Sequence, residues 1–128
     1  MTDARNMFEK CGKLTTIDST MMRIVDGTRM FYDCSSIEVF TPFLSSLVCG
    51  NEAFTNCTKL YGFNQNLTNL ESAVSMFENC SSLRYWTNET KKLKTGTKMF
   101  KKSAITGYYS YKSDKVESLD LDKLENAF

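Results

Sequence analysis

Histidine is absent from these 128 residues. That removes the commonest general base and the commonest metal ligand at neutral pH. One proline and six glycines are too few to mark a flexible linker. There is no run of about 18 apolar residues, so no transmembrane segment is expected. The opening MTDARNMFEK has neither the basic start nor the apolar stretch of a signal peptide, and a targeting segment is expected only outside this chain. Charge of one sign is also missing. The net charge is +1, which gives no global basic field, and no specific nucleic-acid binding is expected. Five cysteines cannot all pair with one another. Neither G-x-S-x-G, a P-loop, a dinucleotide fingerprint nor a Cys–His pair occurs. The chain is therefore read as non-enzymatic, with no catalytic residue, no cofactor and no metal site.

What is present is a repeat. Phe8, Phe31, Phe54, Phe77 and Phe100 follow one another at intervals of 23 residues. Other columns share the period. Three residues after each Phe stand Cys11, Cys34, Cys57 and Cys80, then Ser103. Six after stand Leu14, Ile37, Leu60 and Leu83, and nine after stand Ile17, Phe40, Phe63, Trp86 and Tyr109. Sixteen after stand Ile24, Leu47, Leu70, Leu93 and Val116. The closing LENAF makes Phe128 the next phenylalanine, 28 residues after Phe100, so the fifth repeat carries an insertion near 105–115, within YYSYKSDK. It is expected to form a bulged surface loop.

Within one repeat, Met7, Phe8, Cys11 and Leu14 follow the i, i+1, i+4, i+7 spacing of a helix face. Asp3, Asp26, Ser72 and Thr95 stand five residues before their phenylalanines, where a helix N-cap would sit; Cys49 breaks that column and Asn51 can substitute. A short helix per repeat is predicted. Turn residues follow, then a short strand in TTID, EVFT, YGFN and RYWT. One such unit cannot bury its apolar face alone, and stacked copies can. The expectation is an α/β repeat solenoid, with short parallel strands and short helices in each 23-residue coil. It forms a single domain over 1–128 of about five repeats.

The segments MFEKCGKLTTI, MFYDCSSIEVF, AFTNCTKLYGF and MFENCSSLRYW resemble the BspA-like leucine-rich repeat family, and the resemblance covers nearly the whole chain. It departs from the family in lacking the usual Leu-Pro pair at the strand end, with Pro42 displaced by one position, and in using aromatics where aliphatics are common. The resemblance implies surface-exposed or secreted proteins engaged in adhesion or recognition. It also implies that residues flanking the inward strand residue project from a concave sheet.

On that sheet the expected partner-binding residues are Tyr61, Arg84, Tyr85, Thr87 and Tyr108, because Tyr and Arg dominate binding hot spots. The expected partner is a protein. Eight lysines between Lys91 and Lys115, opposed in that stretch by Asp114 alone, could attract an anionic glycan or surface. The alternative reading is a structural assembly component that self-associates through exposed solenoid ends. The four column cysteines are expected as a reduced, buried ladder of small apolar residues, with Cys49 outside it as the likeliest reactive thiol. Of the four N-x-S/T sequons, at Asn56, Asn66, Asn79 and Asn88, the first and third recur at one repeat position, which turn chemistry explains.

Overall fold

A computed structural model describes residues 2–17, 20–84, 86 and 90–105, together with the backbone of two strands beyond them. Its architecture is a repeat solenoid, with the 23-residue period in each of its parallel pairings. The helices expected at the phenylalanine segments are not there, and no described residue is helical. Three successive tight turns take their place in each of the five described coils. In the second coil Met30 N–H donates to Gly27 O, Tyr32 N–H to Arg29 O and Cys34 N–H to Phe31 O, at 3.0–3.3 Å. The intervening N–H groups leave the coil: Gly27, Arg29, Phe31 and Asp33 donate to Cys49, Asn51, Ala53 and Thr55 carbonyls of the next one, at 2.8–3.0 Å. Alternate amides thus stay within the coil and pass to its neighbour. A helix would have kept them all inside.

The backbone alternation requires left-handed residues two before and two after each phenylalanine. Asn6, Lys10, Arg29, Asp33, Glu52, Asn56, Ser75, Asn79, Lys98 and Lys102 have φ between 55° and 65°. A tight turn whose second central residue has positive φ favours Gly or Asn, yet only Asn6, Asn56 and Asn79 among them meet that preference. Two of those asparagines also link coils, with Asn79 Nδ2 donating to Asn56 Oδ1 at 2.7 Å and Asn56 Nδ2 donating to Asp33 Oδ1 at 2.5 Å.

The expected N-caps cap no helix. Asp3, Asp26, Cys49, Ser72 and Thr95 form a row of parallel β-bridges running through five coils. Two of the side chains still close local turns, Asp3 Oδ1 accepting from Arg5 N at 3.1 Å and Asp26 Oδ1 from Thr28 N at 3.0 Å. Asn51, expected as the substitute cap, accepts from Val74 N at 2.9 Å and Ser72 Oγ at 2.6 Å in the following coil.

On the other side of the coil lie β1 (Val39–Phe40) and β2 (Gly62–Phe63), paired in parallel with Val39 opposite Gly62 and Phe40 opposite Phe63. The insertion carries β3 (Tyr108–Ser110) and β4 (Lys115–Glu117), an antiparallel pair with Tyr109 opposite Val116. Those two residues, which the repeat count puts in separate core columns, are direct register partners in the backbone.

The core is the set of columns. Phe31, Phe54 and Phe77 are fully buried and stack on one another with centroids 5.4 and 5.5 Å apart. Phe40, Phe63 and Trp86 form a second stack at 5.8 and 6.0 Å. The two columns meet edge to face, as at Phe54–Phe63 (5.2 Å, 71°) and Phe77–Trp86 (5.2 Å, 66°). Edge-to-face contacts place positive ring edges on negative ring faces, adding about 0.5–1.5 kcal/mol per pair beyond burial.

The cysteine column has a function in this packing. Cys34, Cys57 and Cys80 are buried and unpaired. Their thiols donate to the carbonyls of Phe8, Phe31 and Phe54 in the preceding coil at 2.9, 3.2 and 3.0 Å. A small side chain that is apolar yet carries one weak donor satisfies both demands. Burial pushes the Cys34 thiol up to about 11 and the Cys80 thiol up to about 12.

Candidate recognition surface

The chain segment through β1 alternates strictly. Phe40, Pro42 and Leu44 are buried, while Val39, Thr41 and Phe43 are exposed. Val39 is held over β2 because Gly62 has no side chain, and a Cβ there would meet Val39 Cγ2 at 3.0 Å. Beside it, Tyr61 N–H and Gly62 N–H both donate to Glu38 O, at 2.9 and 3.1 Å. This ladder sets Tyr61 next to Glu38 on the adjoining coil. Tyr61 is 60% exposed and Phe43 is 63% exposed.

Pro42 removes an N–H from this part of the wall. A buried side chain makes good the local pairing. Gln65, in the next coil, accepts from Leu44 N at 3.1 Å through Oε1 and donates to Pro42 O at 2.7 Å through Nε2. One amide thus takes the place of a ladder pair and fixes the segment that carries Phe43.

Between the first two coils an open cleft of about 230 Å³ lies against this segment. Its apolar walls come from Ile17, Met21, Met22, Pro42 and Phe43, and its hydroxyls from Thr20 and Thr41. No charged residue is among the described residues that line it.

Of the residues expected to bind a partner, Tyr61 and Arg84 occupy one repeat position on successive coils and are exposed. Tyr85 and Thr87 lie outside the described residues. Tyr108 belongs to the antiparallel pair β3–β4, apart from the parallel pair β1–β2. The lysines divide. Lys98 and Lys102 occupy left-handed positions in the turn row, on the side of the coil opposite the strands. Lys92 Nζ donates to Asn69 Oδ1 at 3.1 Å and Lys94 Nζ lies 3.8 Å from Glu71 Oε1, so an acidic residue from the preceding coil opposes part of the run.

The residues missed from sequence are Phe43 and Met22. A signal for them was present. Phe43 stands where the other repeats have Thr20, Asn66 and Glu89, and Met22 stands where they have Ser45, Thr68 and Lys91. A large apolar residue in an otherwise polar, exposed column has no packing reason to be there.

Cys49, expected as the reactive thiol, is half-buried. Thr28 Oγ1 donates to Asp26 Oδ1 at 2.7 Å and lies 3.3 Å from Cys49 Sγ. The hydroxyl proton being committed to the carboxylate, Cys49 S–H is the donor of the second bond. Among the described residues no three His, Cys, Asp or Glu side chains cluster as metal ligands, and no helix is long and apolar enough to cross a membrane.

No curated protein and no solved structure matches the chain. A family model, that of the BspA type leucine rich repeat region, matches residues 4–122 in six copies, and with the stacked 23-residue coils this shows that the chain belongs to the BspA-type leucine-rich repeat family.

Proposed function

We propose that the chain is a non-catalytic recognition module that binds a protein partner through its strand-bearing face. Repeats of this family generally mediate protein interaction or adhesion and are typically non-enzymatic. The observation that carries the reading is local to this chain. Val39, Phe43, Met22 and Tyr61 are all large and at least 40% exposed, and the last three occupy columns that are polar in the other repeats. Exposed apolar groups collected on one face mark interaction sites, and aromatic residues supply most of the binding energy at such sites.

The test selects displayed peptides against the full chain and measures their affinity for surface variants. Tyr61→Ala and Val39→Asp are expected to weaken the selected binders by more than about 1 kcal/mol, the usual threshold for a hot-spot residue. Lys10→Ala, in the turn row, is the matched control. Equal and negligible losses at all three positions would remove the strand face from consideration. Self-association through a solenoid end is the alternative reading. Light scattering separates the two, since a mass that stays monomeric with rising concentration opposes assembly.

A further inference from the structure

We infer that the cleft between the first two coils is an anchor subsite for one neutral aromatic side chain of the protein partner, an inference that rests on the recognition reading above. Size is the first argument. Small-molecule pockets span about 300–1,000 Å³, whereas an apolar cavity of about 150 Å³ already takes benzene. At about 230 Å³ the cleft suits a single ring and is too small for a cofactor. Chemistry is the second. Its described walls are apolar side chains and two threonine hydroxyls, so a charged head placed there would find no opposite charge among them. Thioethers of Met21 and Met22 and the ring of Phe43 offer sulfur–aromatic and ring–ring contacts to an entering ring. An aliphatic side chain would gain neither.

Rigidity is the third argument. Gln65 fixes the Pro42–Leu44 wall from the neighbouring coil through two hydrogen bonds, so that wall exists before a ligand arrives and little ordering is lost on binding. Repetition is the fourth. Phe43 and Met22, which stand in columns otherwise polar, come from different coils and meet at this one cleft. Two separate departures from the repeat converging on a single cavity are explained by a ligand and by nothing in the core, since both side chains are largely exposed.

The probe is N-acetyl-L-phenylalaninamide, titrated into the full chain carrying 13C-methyl methionine, with N-acetyl-L-lysinamide as the charged control. The methyl signals of Met21 and Met22 should shift saturably with the phenylalanine compound, while those of the buried Met76 and Met99 stay in place. Phe43→Ala, at an exposed position that leaves the core intact, should raise the dissociation constant at least about fivefold, and Met22→Lys should do the same. Absence of a saturable shift, equal shifts with the lysine compound, or no effect of Phe43→Ala each overturns the anchor site. Selected peptides separate this failure from failure of the wider reading. Peptides sensitive to Tyr61→Ala but indifferent to Phe43→Ala would leave the recognition face standing and remove the subsite. Saturable Met21 and Met22 shifts, with no peptide sensitive to either variant, would remove the face and leave the cleft as a site for free aromatic compounds.

Discussion

The two sides of each coil follow different rules. On the turn side the same three internal bonds recur in all five described coils, and the same alternating amides cross between coils in the first four. This holds although the left-handed positions are filled by Asn, Lys, Arg, Asp, Glu and Ser in turn. On the strand side no two coils are alike. The second has Pro42, the third answers it with Gln65, and the exposed positions hold Glu38, Tyr61 and Arg84 in succession. Backbone bonding needs no particular side chain, so the turn side stays constant while its sequence drifts. The strand side, whose described parallel pairing is two residues long, is free to vary outward, and that variation supplies the proposed recognition surface.

The largest expected effect lies where the two sides meet. Phe54 stacks on Phe31 and Phe77 and meets Phe40 and Phe63 edge to face. Phe54→Ala should cost about 3–5 kcal/mol, the usual loss for a large aromatic removed from a core that cannot collapse. A thermal melt would show it, and little change would mean that the coils are not joined through the aromatic columns.

A smaller loss is expected from the strand side alone. Gln65→Leu keeps an apolar volume but leaves Leu44 N–H and Pro42 O without the amide that pairs them. Orphaning a buried polar group costs about 1–3 kcal/mol. Urea unfolding of Gln65→Leu beside the double variant Gln65→Leu/Pro42→Ala tests whether the amide serves the backbone. An unchanged midpoint in the single variant would refute it.

The cysteine column ties the two sides to pH. Free thiols ionise near pH 8.5 in an unfolded chain, whereas burial raises Cys34 to about 11 and Cys80 to about 12 and pushes Cys57 up as well. The folded state therefore holds these protons more tightly. The stability they contribute is fully present below pH 8.5 and is lost as pH rises from there through about 11 and 12. Each thiol adds at most about 1.4 kcal/mol per pH unit to that decline. The difference in urea midpoint between the wild type and Cys34→Ala/Cys57→Ala/Cys80→Ala, under reducing conditions, should narrow between pH 8 and pH 10. A pH-independent difference would mean that the thiols are already solvated.

The register of the core was legible because a fixed period exposes it. Phe31, Phe54, Phe77, Ile37, Leu60, Leu83 and Trp86 are all fully buried, as their columns required. The turn series was not legible. Its apolar spacing coincides with that of a helix face, and the left-handed residues are Lys, Arg, Asp, Glu or Ser more often than Asn, with no glycine to announce a positive φ. Strands in YGFN and EVFT were placed correctly and proved only two residues long. Phe43 and Met22 escaped because attention to conserved columns hides the information in their exceptions.

The smallest expected effect is a reversal of sign between the two sides. Ordinary positions lose about 0.5–1 kcal/mol when Ala becomes Gly, because glycine has more freedom to lose on folding. At a left-handed residue the Cβ itself costs roughly 1–2 kcal/mol, which exceeds that entropy. Lys10 has φ 62°, its side chain is exposed, and its N–H bond to Tyr32 O survives either substitution. Lys10→Gly should therefore be as stable as Lys10→Ala or up to about 1.5 kcal/mol more so, taking the difference of those two terms. Thr41, exposed on the strand side and absent from the positive-φ set, should show the ordinary order, with Thr41→Gly below Thr41→Ala. Four urea curves decide it. The same order at both positions would mean that Lys10 does not hold a left-handed conformation in solution, and the contrast between a backbone-bonded turn side and a packed strand side would lose its physical basis.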